Sequence, residues 1–396
     1  METNGVAGSA ARSPWLMLAL VVGSTVLGLM GTDLVLPAVP RLPETLGGTL
    51  AESQLVIAAY VGGTCIGLLA YGALGDRFST RALFIGSLAA TALASLACTL
   101  ARDLHTLTLL RALQGAAAAG PAVFAPGIVR ASFDEHGAVR AIGLLGSIEA
   151  LAPALAPIVG IWLVALGGWR LNFTVLGVLA AVLALLIGLS GALPQVAQRP
   201  RGSYLRLLRD AVFLRYALSQ ALVLGGLLVF VFGMPTVFVH ALGIGMRAFV
   251  VMQISGIAAF MLAANAAGHL VVRHGAERMI ACGSLVAMLG SVALLGYGIA
   301  GGRSGLVIAA LFIPMNAGLG LRGPPGFFRA VVAARGDDAR GAALVILLIL
   351  GITAAATAAA APLLLHGLAP VAAIACALEL LALLCLALLP ALRPAP

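Results

Sequence analysis

Ser53-Gln-Leu-Val-Ile-Ala-Ala-Tyr60-Val-Gly-Gly-Thr-Cys65-Ile-Gly-Leu-Leu-Ala-Tyr71-Gly-Ala-Leu74 carries no charge, and the polar turn Gly75-Asp76-Arg77-Phe78-Ser79-Thr80-Arg81 separates it from a second uncharged run, 82–101. A helix of roughly 20 apolar residues, rising about 1.5 Å at each, crosses the hydrocarbon core of a bilayer. Two such runs joined by a short charged turn read as a pair of membrane helices.

The pattern repeats along the chain. Apolar runs of spanning length occupy 15–38, 53–74, 82–101, 105–128, 140–163, 171–193, 212–235, 248–271, 279–300, 304–329, 341–363 and 369–391. The first is longer than the apolar core of a cleaved leader, about 7–15 residues, and reads as a true span. Composition agrees. Of 396 residues, 62% are hydrophobic and 9% charged, against about 25% charged in a soluble domain. The 49 glycines and many alanines suit helices that approach closely where lipid supplies no hydrophobic drive between them. The expectation is an all-α membrane protein of twelve transmembrane helices.

Every one of the 23 basic residues is Arg, and the formal net charge is +9. They stand in short loops without a basic helix or interleaved aromatics, which argues against nucleic acid and for topology-setting charge. With the N-terminus inside, Arg12, Arg77, Arg81, Arg130, Arg140, Arg199, Arg201, Arg206, Arg209, Arg215, Arg273, Arg278, Arg329, Arg335, Arg340 and Arg393 fall on the inner side. Arg41, Arg102, Arg170, Arg247 and Arg303 fall outside. Both termini are therefore expected in the cytoplasm of a cell whose inner membrane holds the protein.

The Arg-rich stretch 194–211 divides the chain into two six-helix bundles, 1–193 and 212–396, joined by a cytoplasmic linker. Gly72-Ala-Leu-Gly-Asp76-Arg77 is faintly echoed by Gly268-His-Leu-Val-Val-Arg273, so the bundles are expected to be pseudo-symmetric. The five cysteines, 65, 98, 282, 376 and 385, lie in apolar runs without metal-ligand spacing and read as packing residues. Neither a nucleotide-binding Gly-Lys-Ser/Thr loop, a His/Glu zinc spacing nor a Gly-x-Ser-x-Gly turn is present. No cofactor, metal or enzymatic activity is expected.

Ionisable side chains within a span cost about 2.5–3.5 kcal/mol on insertion scales, which makes them first candidates for function. They are Asp33, Arg111, Glu149, Arg322 and Glu379. Asp33 and Arg111 lie five and six residues from the outer ends of their runs, a matched depth of about 7–9 Å. Two readings follow: a static salt bridge, or an acid balanced between burial and a guanidinium that takes up and releases a proton. Glu149 lies near mid-membrane with Pro153, Pro157 and Gly160 following at helical spacing, so its span should kink there. It is either an acid bonded to a neighbouring helix, or a second proton site or contact to a cationic substrate. Arg322 stands in Gly320-Leu-Arg-Gly-Pro324-Pro325, where the helix should break, and either lines the cavity or snorkels inward. Glu379 is alone on a last helix expected to be peripheral, which points to a structural role. Gln114, Gln220, Gln253, Asn265 and Asn316 are intramembrane amides, helix glue or substrate contacts.

Three motifs in their expected helices resemble the major facilitator superfamily. Gly72-Ala-Leu-Gly75-Asp76-Arg77-Phe-Ser-Thr-Arg81 is similar to its Gly-x-Leu-x-Asp-Arg-x-Gly-Arg/Lys-Arg/Lys loop, Arg111-Ala-Leu-Gln114-Gly115 to its helix 4 motif, and Ala152-Pro153-Ala-Leu-Ala-Pro157-Ile-Val-Gly160 to its helix 5 antiporter motif. Thr32-Asp33-Leu-Val-Leu36-Pro37-Ala-Val-Pro40 resembles the Asp-x-Tyr-Leu-Pro-x-x-Pro segment of the bicyclomycin/chloramphenicol-resistance drug:proton antiporters. Gly168-Trp169-Arg170, Gly233-Met-Pro235 and Gly336-Asp-Asp-Ala-Arg340 match that branch in style.

The resemblance implies alternating access, a proton gradient as energy source, small apolar or amphipathic cargo, and a monomer. It implies proton coupling at Asp33 and Arg111, and gating by Gly72, Asp76, Arg77, Arg81, Arg130, Pro153, Pro157 and Gly160. Val35 replaces the branch's Tyr and aromatics are 6% of the chain, which weakens an aromatic drug pocket. Val272 takes the second-half place of Asp76, so the cytoplasmic gate is expected to be held mainly from the first half, by Asp76 with Arg77, Arg81 or Arg130. Export or symport of an endogenous metabolite or siderophore is the alternative; a non-transporting membrane sensor or assembly partner is a remote one.

Overall fold

The computed structural model describes residues 14–191, 193–194 and 202–392; Arg12, Arg199, Arg201, Arg393 and most of the expected linker lie outside them. Among the described residues every regular element is helical. In chain order they are α1 (Pro14–Asp33), α2 (Leu42–Leu46), α3 (Leu50–Leu74), α4 (Thr80–Cys98), α5 (Leu104–Ala118), α6 (Gly120–Ser132), α7 (Glu135–Glu149) and α8 (Ala152–Gly167). There follow α9 (Trp169–Ser190), α10 (Tyr204–Arg209), α11 (Ala211–Thr236), α12 (Met246–His274), α13 (Ala276–Ile299), α14 (Gly305–Ala333), α15 (Asp338–Ala360) and α16 (Leu368–Leu388).

Eleven described segments are long and apolar enough to cross a membrane. The remaining expected span, 140–163, is present but divided between α7 and α8. The short loops between spans spend their polar residues on helix starts. Thr49 and Glu52 form a reciprocal capping box on α3, and Ser79, Asp103, Asp134 and Asp210 cap α4, α5, α7 and α11. Each cap satisfies an amide that has no partner within its helix. The Thr106 amide and hydroxyl hold the Asp103 carboxyl below its usual range.

Three spans are interrupted, each beside a residue singled out above. After α1 ends at Asp33, a 3₁₀ segment containing Pro37 and Pro40, Leu36–Arg41, takes over. The fourth span changes helix at Ala119, just before Pro121. The fifth breaks at Ala150 and Leu151, between Glu149 and Pro153. The cause is shared: proline has no N–H for the carbonyl four residues back. At Arg322 the expected break does not occur. α14 runs through Pro314, Pro324 and Pro325, because its tight packing on α12 and α13 supports the backbone where three ladder bonds are missing.

Most of the apolar core falls into one cluster drawn mainly from α1–α9, with Ala343 of α15, and one from α11–α16. A third joins Leu18, Val129, Val139 and Ile142 to Ala267, Val271, Met279 and Phe328, across the two groups. Contacts between the groups lie toward the Arg-rich end. There α7 packs on α12, with Gly143 against Ala264 and Gly146 against Phe260; α3 packs on the first turns of α15, with Gly75 against Ala339. Toward the other end, α8 packs on α1 and α9, within its own group.

Candidate functional site

Arg111 is fully buried on α5. Its Nη1 donates to the Gly31 carbonyl at 2.9 Å and to Gln114 Oε1 at 2.6 Å, and its Nε to the Val56 carbonyl at 3.3 Å. The guanidinium lies 4.2 Å over the centre of the Tyr60 ring. Gln114 donates in turn to Ser95 Oγ at 2.6 Å. This network ties α1, α3 and α4 to α5, and it uses the amide expected to face substrate: Gln114 is a buried strut between Arg111 and Ser95.

Asp33, the last residue of α1, is half-buried. The matched depth with Arg111 holds, since Arg111 reaches Gly31. The expected pairing does not: among the described residues no ion pair joins them, and the Arg111 guanidinium lies over the Tyr60 ring instead. Tyr60, which sequence reasoning missed, donates its hydroxyl to the Gly28 carbonyl at 2.6 Å. Gly31 makes room for it; a Cβ there would lie 2.2 Å from the Tyr60 oxygen. The dipeptide signal Gly31 opposite a mid-helix Tyr becomes visible only once α1 and α3 are adjacent.

The end of α1 is held from two sides. Asn172 donates to the Leu34 carbonyl at 2.8 Å, and a Cβ on Gly160 would come within 2.2 Å of the same oxygen. Gly160 thus lets α8 press against the turn after Asp33. Gly160→Ala is expected to push α8 off that turn at a cost of about 1–3 kcal/mol, the usual range for overpacking. A lower unfolding temperature in detergent checks it; an unchanged one would show that this contact gives way freely.

Glu149 closes α7, beside the break, with the Thr25 side chain of α1 next to it. Two residues earlier, Ser147 accepts from Asn265 of α12 at 3.0 Å, across the two helix groups. A negative side chain at a helix C-terminus meets the negative end of the helix dipole, a position suited to a bound cation. Pro153 is exposed and Pro157 half-buried.

Of the other amides, Asn316 donates to the Phe312 carbonyl of its own helix, and Gln253 is half-buried. Gln220 is buried beside Gly326 and Arg322. Arg322 neither snorkels inward nor lines an open cavity. It is fully buried, with Nη1 donating to the Ser219 carbonyl and Nη2 to Ser219 Oγ at 3.0 Å. Glu379 is fully buried as well, so the face of α16 that carries it turns inward rather than to lipid.

The charged residues at the Arg-rich end are arranged differently from the expectation. Asp76 accepts both arms of Arg340, at 2.8 and 2.7 Å. Arg130 pairs with Asp338 at 3.0 Å, and Arg329 with Glu135 at 2.7 Å. Each of these pairs joins the α1–α9 group to the α11–α16 group. Arg81 donates to the Gly188 carbonyl at 2.8 Å and Arg77 is exposed. The ion pairs at this end therefore draw on both groups. Exposed Val272 is replaced as counterpart by Arg340 and Asp338 at the start of α15.

Asp337 and Tyr204 complete the closure. Arg340 also holds Asp337 at 3.1 Å; burial pushes the Asp337 carboxyl up, and Arg340 opposes that. Tyr204 of α10 donates to the Leu69 carbonyl at 2.7 Å and lies under Arg340. A Cβ on Gly72 would sit 2.1 Å from the Tyr204 oxygen, so glycine at 72 is what admits the α10 tyrosine.

A family profile described as Major Facilitator Superfamily matches residues 21–347. An uncharacterised MFS-type transporter of Bacillus subtilis (strain 168), YdgK, is 29% identical over 76% of this chain and 77% of its own length. A chloramphenicol resistance protein of Pseudomonas aeruginosa is 28% identical over 67% of this chain and 64% of its own. The multidrug resistance protein MdtL of Klebsiella pneumoniae is 29% identical over 40% of this chain and 41% of its own. Among solved structures, the transporter FucP in its outward conformation superposes with a TM-score of 0.73 at 15% identity, over 94% of this chain and 98% of that one. The proton:xylose symporter XylE gives 0.72 at 14%, over 93% and 94%. At those identities the superpositions speak to fold alone.

Proposed function

The chain belongs to the major facilitator superfamily, a family of membrane transporters and not of enzymes, and from that premise we propose that it is a proton-coupled exporter of small apolar or amphipathic compounds. Its Arg-rich end faces the cytoplasm, which places both termini there, in the inner membrane. The described state is then outward-facing, with the cytoplasmic side shut by the ion pairs of Asp76, Arg130 and Glu135. Residues 1–193 and 212–396 rock about the seam formed by α7 and α12.

The observation that carries the reading is the state of Asp33. It ends a span, is half-exposed at the side away from the closed gate, and has no ion pair among the described residues. Such an acid is available to protons from outside. Arg111, one helix away, supplies the fixed positive charge that favours release once the geometry changes. Protons moving down the membrane potential supply about 2.3 kcal/mol per charge per 100 mV. The resistance proteins among the relatives support outward movement of foreign compounds. Glu149 favours a second reading, transport of a cationic endogenous metabolite, because a half-buried acid beside a helix break offers a counter-charge.

Proteoliposomes with an imposed pH gradient and a panel of antibiotics and cationic dyes test both. Asp33→Asn is expected to abolish gradient-driven exchange, a drop of at least about 100-fold for loss of the proton carrier. Full transport by Asp33→Asn would remove it from that role. Loss of binding confined to cationic compounds in Glu149→Gln would assign Glu149 to the cargo.

A further inference from the structure

α10 lies at the closed, Arg-rich end, and it is fixed to the second helix group. Leu207 is buried in a cluster with Phe213, Ala333 and Leu344. Asp210, which follows α10, caps α11 and pairs with Arg335 at 3.5 Å. Arg206 donates to the Ala334 carbonyl at 3.4 Å and stands 3.7 Å from Asp337. The helix packs accordingly on α11 and α15.

Tyr204, one turn before Leu207, reaches the first group. Its hydroxyl donates to the Leu69 carbonyl of α3 at 2.7 Å, and its ring packs against the core of the first group as well as against the cluster around Leu207. Gly72 supplies the notch. A Cβ there would collide with the Tyr204 oxygen, while the Cα of Arg340 would stay at 3.4 Å, an ordinary contact. The Arg340 guanidinium lies 5.4 Å from the centre of the ring, within cation–π range. Burial pushes the Tyr204 phenol up to about 12, so it keeps the proton that it donates to Leu69.

Just before α10 the chain crosses the gate itself. A Cβ on Gly202 would collide with the Asp337 carboxyl and lie 2.6 Å from Arg340 Nη1, so glycine at 202 lets the backbone run directly over that pair. Within α10, Tyr204 and Leu207 keep a fixed spacing of about 4.5 Å along the helix. Separation of α3 from α15 therefore carries Leu69 away from a tyrosine that Leu207 holds back. A hydrogen bond is lost once its heavy atoms pass about 3.5 Å.

We propose that residues 202–209 are a strap, carried by the second helix group, that latches the Arg-rich end shut through Tyr204 seated in the notch at Gly72. In the state described here the latch is closed. When the two groups rock apart at this end, the strap stays with α11 and α15. The bond from Tyr204 to Leu69 breaks, the phenol leaves the notch, and the pair of Arg340 with Asp76 separates in the same movement. Closure seats the tyrosine again. The latch adds to the ion pairs a neutral bond and an apolar ring, neither of which is screened by salt as exposed charges are. The inference rests on the proposed alternating access between the two groups, and on neither Asp33 nor the identity of the cargo.

Amide hydrogen exchange of the full-length protein in liposomes, followed over 69–78 at the end of α3 and 336–344 at the start of α15, reads the opening of this end. Tyr204→Phe keeps the ring and loses one hydrogen bond, so both segments should exchange about 2- to 12-fold faster. Tyr204→Ala also loses the ring and should exceed that. Gly72→Ala fills the notch and should speed both segments as well. In the Tyr204→Ala background Gly72→Ala should add nothing, because the two act through one contact. Faster exchange confined to α10 in Tyr204→Phe overturns the proposal, as does a full additional effect of Gly72→Ala in the absence of the tyrosine. Arg340→Ala separates the two levels of the reading. If it speeds both segments and Tyr204→Phe does not, the strap falls and the gate stands; if neither substitution does, both fall.

Discussion

Arg340→Ala opens the Arg-rich end. Arg340 makes two bonds to Asp76 and one to Asp337, and its side chain is 6% exposed while that of Asp76 is 19% exposed. The substitution leaves two carboxylates facing each other in a poorly hydrated place. Breaking a fully buried pair costs about 3–5 kcal/mol; partial exposure of Asp76 reduces this to about 2–3 kcal/mol. At 1.4 kcal/mol per factor of ten, the balance between closed and open forms of this end shifts roughly 30- to 150-fold toward open. Distances between spin labels on exposed residues of the two helix groups, such as Phe78, would record it. The exchange Asp76→Arg with Arg340→Asp should recover only part of the closure, because an acid at 340 then meets Asp337. Label distances unchanged in Arg340→Ala would mean that Arg130–Asp338 and Arg329–Glu135 hold the gate without it.

Arg111→Lys is expected to lose transport while keeping its charge. A planar guanidinium reaches Gly31, Val56 and Gln114 at once, and an ammonium cannot match that fork. Each lost bond to a charged donor costs about 1.5–3 kcal/mol. With two lost, the α1 turn before Asp33 is no longer pinned to α5. Proton-driven exchange should fall at least about 100-fold, and the unfolding temperature in detergent should drop. Arg111→Met removes every bond but also the cost of burying a cation without a carboxylate. Its loss of stability should therefore be smaller than the sum of the bonds, with transport absent all the same. If Arg111→Lys transported like the wild type, charge alone would be what matters at this position.

The two residues differ in how visible they were beforehand. Arg111 stood out because an ionisable group inside an apolar run is costly wherever the run ends up. Arg340 did not, because it lies at the start of its run among other loop charges, where a lone arginine looks like topology. Its role depends on Asp76, 264 residues earlier, and no periodicity links positions so far apart. Tyr60 was hidden for a related reason. A tyrosine in a span attracts no notice until Gly31 is seen to make room for its hydroxyl. Glu379 stood out as a costly acid but read as peripheral on a last helix, and only the packing of α16 shows it fully buried. The broken fifth span, by contrast, could be read in advance from Pro153 and Pro157, since a missing N–H is a local fact; Pro324 and Pro325 misled because their helix is held by its neighbours.

By itself the sequence determined that the chain is a bundle of membrane helices, which residues in it are expensive to bury, and where three of its motifs fall. Those properties belong to single residues or to runs of about twenty, and the bilayer reads them locally. Only the tertiary structure decided partnership: Arg111 with backbone carbonyls rather than with Asp33, Asp76 with Arg340 rather than with its sequence neighbours, and Arg322 with Ser219. In an interior that lacks water, each charge takes the nearest compatible group on another helix, and which group is nearest is set by how the helices pack.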